Sequence, residues 1–345
     1  MPKEIPHDRV CLTPLERKDL PMLHCFVEEA CGEMLAPYKA WETLCSQFDE
    51  GALSGDPRHT FIVRLDGMPV GYCAADFEKG AIELGLPIGT PQHPSVAEFS
   101  LRWAVDLIFC TVWHHERLAV RVTPRDEQML AGVAKSGLKP DGDGFSVTRK
   151  AWARWKVHPV RDRIEDIPQG GEPLSARAIK YTPACEDDIP FLTRLHNASF
   201  QYYNFRPLSL HAMEQRFARG EFFGGHTHVF IVRVKGEPVG IARVQDVMSA
   251  SPEIGLRILG PWQARGIGGP TTQFLLKYCF TKLPRKIVKV RALTVAVNIG
   301  GNKALRKAGF TKDGVTRRQW FIRGEWRDAA LYSMLREEWE ALDAK

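Results

Sequence analysis

The sequence has no C-x-x-C pair: its eight cysteines, at 11, 25, 31, 45, 73, 110, 185 and 279, are scattered over 345 residues. This excludes the usual zinc and redox spacings and predicts reduced thiols in a cytoplasmic protein. No apolar run approaches the ~20 residues of a membrane span; the best stretch, from Trp103 to Trp113, contains Asp106. The opening MPKEIPHDRV has no apolar core, so no secretory signal is expected and no membrane partner. With 44% hydrophobic and 10% aromatic residues, a largely disordered chain is excluded too. No metal is expected: His226-x-His228 and His114-His115 lack a third ligand at workable spacing.

The net charge of +6 is the sum of unlike halves. Of 47 Lys+Arg and 41 Asp+Glu, residues 1–168 hold 20 and 25, which is −5. Residues 169–345 hold the other 27 and 16, which is +11. A basic half serves either nucleic acid or a phosphorylated ligand, and no nucleic-acid motif accompanies the charge.

The halves are one unit written twice. His59-Thr-Phe-Ile-Val-Arg-Leu-Asp-Gly-Met-Pro-Val-Gly71 matches His228-Val-Phe-Ile-Val-Arg-Val-Lys-Gly-Glu-Pro-Val-Gly240 at nine of thirteen positions, 169 residues apart. Thr13-Pro14 matches Thr182-Pro183, Glu83-Leu-Gly-Leu86 matches Glu253-Ile-Gly-Leu256, and Gly137 matches Gly309 in the same order. A repeat this long is a domain duplication. The boundary is the turn-rich segment Ile167-Pro-Gln-Gly-Gly-Glu-Pro173. In the second copy the patterns predict strands at 178–181, 229–234, 239–247, 253–259, 287–297, 317–322 and 329–334. Helices are predicted at 185–196, 210–219, 271–281 and 303–307, which gives a mixed α/β sheet.

The central motif is Gln263-Ala-Arg-Gly266-Ile-Gly268-Gly269, between a predicted strand and a helix. Glycines let a ligand approach the backbone, and a helix start offers unpaired N–H groups and a positive dipole end. Such a turn cradles phosphate oxygens, or it is simply a tight turn. In context, Q-x-x-G-x-G after a strand resembles the pyrophosphate loop of the GNAT (GCN5-related N-acetyltransferase) superfamily. The likeness extends to Asn298, followed eleven residues later by Gly309-Phe310. Asp313-Gly-Val-Thr-Arg-Arg318, Gly324-Glu-Trp-Arg-Asp328 and Tyr332-Ser-Met-Leu-Arg-Glu-Glu-Trp339 resemble the branch with ribosomal-protein N-terminal and antibiotic acetyltransferases.

The resemblance implies an α+β sandwich on a mixed α/β sheet, in two tandem acyl-CoA N-acyltransferase domains: a degenerate copy at 1–166, a linker at 167–176 and a catalytic copy at 177–345. It implies acetyl-CoA as donor and a primary amine as acceptor. Cofactor contacts fall on Ile258, Leu259, Gly260, Gln263, Arg265, Gly266, Ile267, Gly268, Gly269, Asn298 and Asn302. Asn298 can instead cap the following helix. In the first copy Ser95 and Ala97 replace both loop glycines and Pro94 replaces Arg265. One extra residue near Leu259 in the second copy predicts a β-bulge that redirects an amide toward the thioester.

Glu253 is the candidate base, yet Glu83 at the matching place of the copy without a loop argues equally for a structural carboxylate; Asp246 is the substitute. The tyrosine that serves as acid in relatives is Leu305 here, and the serine of another branch is Gly301, so no acid is assigned. Acceptor binding is expected from the segment with Tyr202, Tyr203 and Phe205, from Phe222-Phe223 and from the last hairpin. A second domain can wall in a small substrate, so the expected acceptor is a small amine such as an aminoglycoside-type antibiotic or amino sugar. A protein N-terminal or lysine acetyltransferase and a non-catalytic acetyl-CoA-binding protein are the alternatives. No motif specifies an oligomer.

Overall fold

The computed structural model describes residues 9–29, 32–55, 57–87, 94–162, 171–198 and 206–343. By contacts the chain divides into unit 1, Met1–Arg163 with Arg206–Ala212, and unit 2, Ile164–Phe205 with Met213–Lys345. Residues 206–212 thus count with unit 1, although they lie well inside the second copy in sequence.

Unit 1 runs β1 (Val10–Pro14), α1 (Leu20–Glu29), α2 (Trp41–Asp49), β2 (Ser54–Gly55), β3 (Arg58–Leu65), β4 (Met68–Asp76), β5 (Ala81–Gly85), α3 (Pro94–Thr111), β6 (Arg117–Thr123), α4 (Glu127–Ser136), β7 (Lys139–Asp141), β8 (Gly144–Thr148) and α5 (Arg149–Trp152). Unit 2 runs β9 (Ile179–Pro183), α6 (Ile189–Asn197), α7 (Leu210–Ala218, its first turn counted with unit 1), β10 (Thr227–Val234), β11 (Glu237–Gln245), β12 (Glu253–Ile258), α8 (Gly268–Lys282), β13 (Lys289–Val295), α9 (Ile299–Lys307), β14 (Thr311–Ile322), β15 (Glu325–Leu335) and α10 (Arg336–Asp343). The element order predicted for the second copy is the one found, with the unpredicted helix α10 added after the last strand.

The two sheets have one topology: β1-β3-β4-β5-β6-β8-β7, with β2 beside β3, and β9-β10-β11-β12-β13-β15-β14. The central hairpins fold for the same local reason. Asp66-Gly67 and Lys235-Gly236 all adopt positive φ, the two-residue turn whose twist suits antiparallel strands. Both hairpins shift register at equivalent places, Val63/Arg64 and Val232/Arg233. The arginine at each shift bonds a threonine hydroxyl and pairs with a buried aspartate: Arg64 with Thr13 and Asp19, Arg233 with Thr182 and Asp188.

In β5 and β12 the correct spacing between the copies is 172, not 170. Tyr72 faces Gly85, and its counterpart Ile241 faces Arg257. A Cβ on Gly71 would strike the Gly85 carbonyl at 2.4 Å, and one on Gly240 the Arg257 carbonyl at 2.4 Å. Asp126 and Asn298, also 172 apart, both cap helices through their side chains. The extra residues of unit 2 therefore lie before Glu253, between β11 and β12. Ladder pairing between β11 and β12 has no shift from Gln245↔Glu253 to Gly240↔Ile258, and the Leu259 amide continues it onto the Val239 carbonyl at 2.9 Å. The expected bulge near Leu259 is absent from these residues, because the insertion is taken up in the preceding connection. The counterpart of Glu83 is then Gly255, and that of Glu253 is Ala81.

The units differ along one seam. In unit 1, β5 and β6 pair in parallel over five positions, Ala81↔Ala119 to Gly85↔Thr123, and the Leu86 amide extends the seam onto Thr123. In unit 2, β12 and β13 pair only at Glu253↔Arg291 and Ile254↔Ala292. Past that point β12 still follows β11 and β13 still follows β15, so the sheet opens between them.

Candidate active site

The opening is bounded by backbone on one side. In the antiparallel ladder the Leu259 amide turns toward β11, so alternation turns the N–H and C=O groups of Leu256 and Ile258 toward the open seam. The Gln263 side-chain amide takes up the Ile258 carbonyl at 2.7 Å. Gln263 is thereby a brace for the strand end rather than a group aimed at a ligand. Leu259 is also corrected: its amide is spent within the sheet, so the donors facing the seam are those of Leu256 and Ile258.

The glycine loop stands at the mouth. Gly260 begins a short 3-10 turn, and Ala264 and Gly266 both take positive φ, at +60° and +81°. A left-handed residue just before a helix turns successive amides to one side, the concavity that holds phosphate oxygens. Nothing lies within 4 Å of a Cβ built on Gly266 or Gly269, and at Gly268 only the Ala304 methyl is near, at 3.6 Å. The first amides of α8, at Gly268 and Gly269 after buried Ile267, have no intrahelical carbonyl to bond. Arg265 turns elsewhere: its guanidinium covers Trp262 and lies against Gly171, while its carbonyl accepts the Leu174 amide. The linker thus buttresses the loop through Arg265.

In unit 1 the same helix start is closed. A Cβ on Gly132 of α4 would meet the Ala97 methyl and the Pro94 carbonyl at 2.6 Å each. This contact corresponds to that of Gly268 with Ala304, which sets Ala97 opposite Gly268 and Ser95 opposite Gly266. Ser95, Val96 and Ala97 are all buried.

Below the mouth, Asn298 caps α9: its Oδ1 accepts the Gly301 amide and its Nδ2 donates to the Thr294 hydroxyl. A Cβ on Gly301 would fall 2.6 Å from that hydroxyl, so glycine there belongs to the cap. Asn302 is 7% exposed; its Nδ2 donates to the carbonyls of Val295, Ala296 and Asn298, and its Oδ1 accepts the Tyr332 hydroxyl. Both carboxamides are consumed by the fold, so the expectation that they grip the cofactor gives way to a supporting role. Leu305 is buried in the core of unit 2.

Glu253 opens β12. It is half-buried, and among the described residues no hydrogen-bond or ion-pair partner holds its carboxylate. Burial pushes its pKa above the ordinary value; Arg291 and Arg243 pull it down and Asp246 pushes it up. Asp246 is exposed, adopts φ +55° and pairs with Arg291 at 3.1 Å, so its carboxylate is engaged by a guanidinium. Glu83, by contrast, is 1% exposed and clasped by the Tyr72 hydroxyl at 2.9 Å and the Met34 amide at 2.7 Å. The doubt that Glu83 cast on Glu253 dissolves, since the two are not counterparts.

Tyr202, Tyr203 and Phe205 lie outside the described residues. Phe223 stacks on His228, which binds the Tyr278 hydroxyl of α8, so this aromatic group sits on the α8 side of the sheet. The residues facing the other way with Glu253 do not include it. Sequence reading missed Arg243 and Arg257, which share that face. The signal was available: at the corrected spacing they replace Ala74 and Gly85 of unit 1.

Among the described residues no group of three or more metal-ligating side chains occurs, and no helix is long and apolar enough to cross a membrane. The chain is 23% identical, over 178 residues, to spermidine N(1)-acetyltransferase of Escherichia coli K12, covering 48% of this chain and 91% of that protein. Among solved structures it is similar to spermidine N-acetyltransferase from Vibrio cholerae in complex with CoA and spermine. That likeness is 18% identity at a TM-score of 0.43, over 48% of this chain and 99% of the other. Residues 179–311 match the acetyltransferase (GNAT) domain family. The part of the chain that matches the acetyltransferase (GNAT) domain family thus lies within its C-terminal half.

Proposed function

We propose that unit 2 transfers the acetyl group of acetyl-CoA to the primary amine of a small molecule, and that unit 1 is a second copy of the fold that has lost the cofactor. The observation that carries this reading is the seam: open beyond Ile254 and Ala292 in unit 2, zipped along its length in unit 1. The pantetheine arm lies along the open seam, where the amides of Leu256 and Ile258 offer donors to its carbonyls and to the thioester. The pyrophosphate meets the amides of the glycine loop and the start of α8.

An amine is a nucleophile only when neutral. Glu253 removes its proton, directly or through one water, as nitrogen attacks the thioester carbonyl; the new C–N bond forms and C–S breaks, leaving the CoA thiolate. Burial favours this role because it raises the proton affinity of the carboxylate toward that of a useful base. A small acceptor is supported by the two relatives, whose names give spermidine as substrate. Aminoglycosides and amino sugars belong to the same class of small amines.

The test is CoA release, read as free thiol, with a panel of small amines and a peptide N-terminus. Turnover of a small amine that falls at least 100-fold in E253Q supports the reading. Turnover of the peptide alone, or binding of acetyl-CoA with no turnover of any amine, contradicts it.

A further inference from the structure

On β12, Glu253, Gly255 and Arg257 alternate with Ile254, Leu256 and Ile258. Ile254 and Ile258 join the unit-2 core with Leu275 and Leu276 of α8, so the first set faces the opposite side. Arg243 stands opposite Gly255 in the ladder and shares that face. Its guanidinium lies over the bare glycine: a Cβ on Gly255 would be 3.7 Å from Nη2 and 3.9 Å from Nε. Arg257, half-buried, donates to the Ala198 carbonyl at 2.9 Å at the end of α6. Arg291 is spent on Asp246 and on the Ser251 carbonyl.

At the matching places unit 1 has Ala74 for Arg243, Gly85 for Arg257, Glu83 for Gly255 and Tyr72 for Ile241. There the Tyr72 ring covers Gly85 and its hydroxyl holds Glu83, so the face is filled and carries an acid. Unit 2 has cleared the tyrosine, removed that acid and added two guanidinium groups, one and two steps along the strand from the candidate base. Residues two apart on a strand are about 6.6 Å apart, the reach of a short molecule with an amine at one end.

We infer that the acceptor bound by unit 2 carries an anionic group, a carboxylate or a phosphate, held by Arg243 and Arg257 while its amine meets Glu253. The inference rests on the transferase reading above. Guanidinium groups bind both anions through paired N–H donors, and a polycation would meet two positive charges on this face.

The experiment uses the intact chain, acetyl-CoA and four amines on one short carbon arm: propylamine, β-alanine, phosphoethanolamine and 1,3-diaminopropane, with spermidine as a longer polycation. The expected result is kcat/KM about 10- to 100-fold higher for an anionic member than for propylamine, with both polycations below propylamine. β-Alanine against phosphoethanolamine distinguishes carboxylate from phosphate. The double variant R243Q/R257Q should bring the ratio of anionic to neutral acceptor close to one, while R243K/R257K keeps part of it; a melting curve checks that each is folded. A preference for 1,3-diaminopropane or spermidine, or a ratio that survives R243Q/R257Q, overturns the inference and leaves the transferase standing. Silence with every amine, the peptide N-terminus included, overturns the transferase reading itself, and the inference with it.

Discussion

As the proposed base, Glu253 works only when ionised, and burial makes ionisation harder. The sign follows directly. Its folded pKa lies above the ordinary glutamate value of about 4.3, so kcat/KM should fall as pH drops through that raised value, earlier than for a solvated carboxylate. E253Q should lower kcat by about 10²–10⁴-fold and flatten this acid limb. Arg243 pulls the pKa down, so R243Q should move the limb to higher pH, measurable in a pH–rate profile on a neutral amine. Asn302 makes a different kind of prediction. N302A strands the Tyr332 hydroxyl and three carbonyls, and should cost about 2–4 kcal/mol in urea unfolding, against about 1 kcal/mol for Y332F. At this scale the sequence nominated Glu253 as the candidate base but could not free it from the shadow of Glu83. Motif spacing placed Asn298 and Asn302 near the site, yet only packing reveals that their carboxamides are committed to a cap and a strand end.

Elements explain why the same fold has one open seam. The hairpins of both units were readable from alternating residues and Asp-Gly or Lys-Gly turns, because those signals are local. The seam was not readable. Whether two parallel strands stay paired depends on what fills the helix starts beyond them, and on register set by connections of unequal length. The extra residues between Gln245 and Glu253 look in sequence like a one-residue change near Leu259; ladder pairing moves them upstream. At the glycine loop, G266V must place a β-branched side chain at φ +81°, a conformation such residues rarely adopt. That substitution, with G268V, should abolish CoA binding in a calorimetric titration, whereas S95A should leave it unchanged. In unit 1, Y72F removes the donor to buried Glu83 and should lower stability by about 1–3 kcal/mol without altering kcat.

For the whole molecule, the uneven charge acquires a structural meaning. The half at +11 has the open seam, the glycine loop and two guanidinium groups on the strand face that carries Glu253; the half at −5 has a zipped seam, a buried helix start and a clasped glutamate. The repeat was legible because repeated turns and ion pairs leave matching residues 169 apart through the central hairpins. The proposed difference in function rests on a few positions where the copies diverge: Ser95 and Ala97 against Gly266 and Gly268, Tyr72 against Ile241, Glu83 against Gly255. The central claim is that this chain keeps one cofactor site in two copies of one fold. Calorimetric titration of the intact chain with CoA tests it most directly. The account predicts one CoA per chain, lost in G266V/G268V; two per chain, or one that survives that substitution, would contradict it.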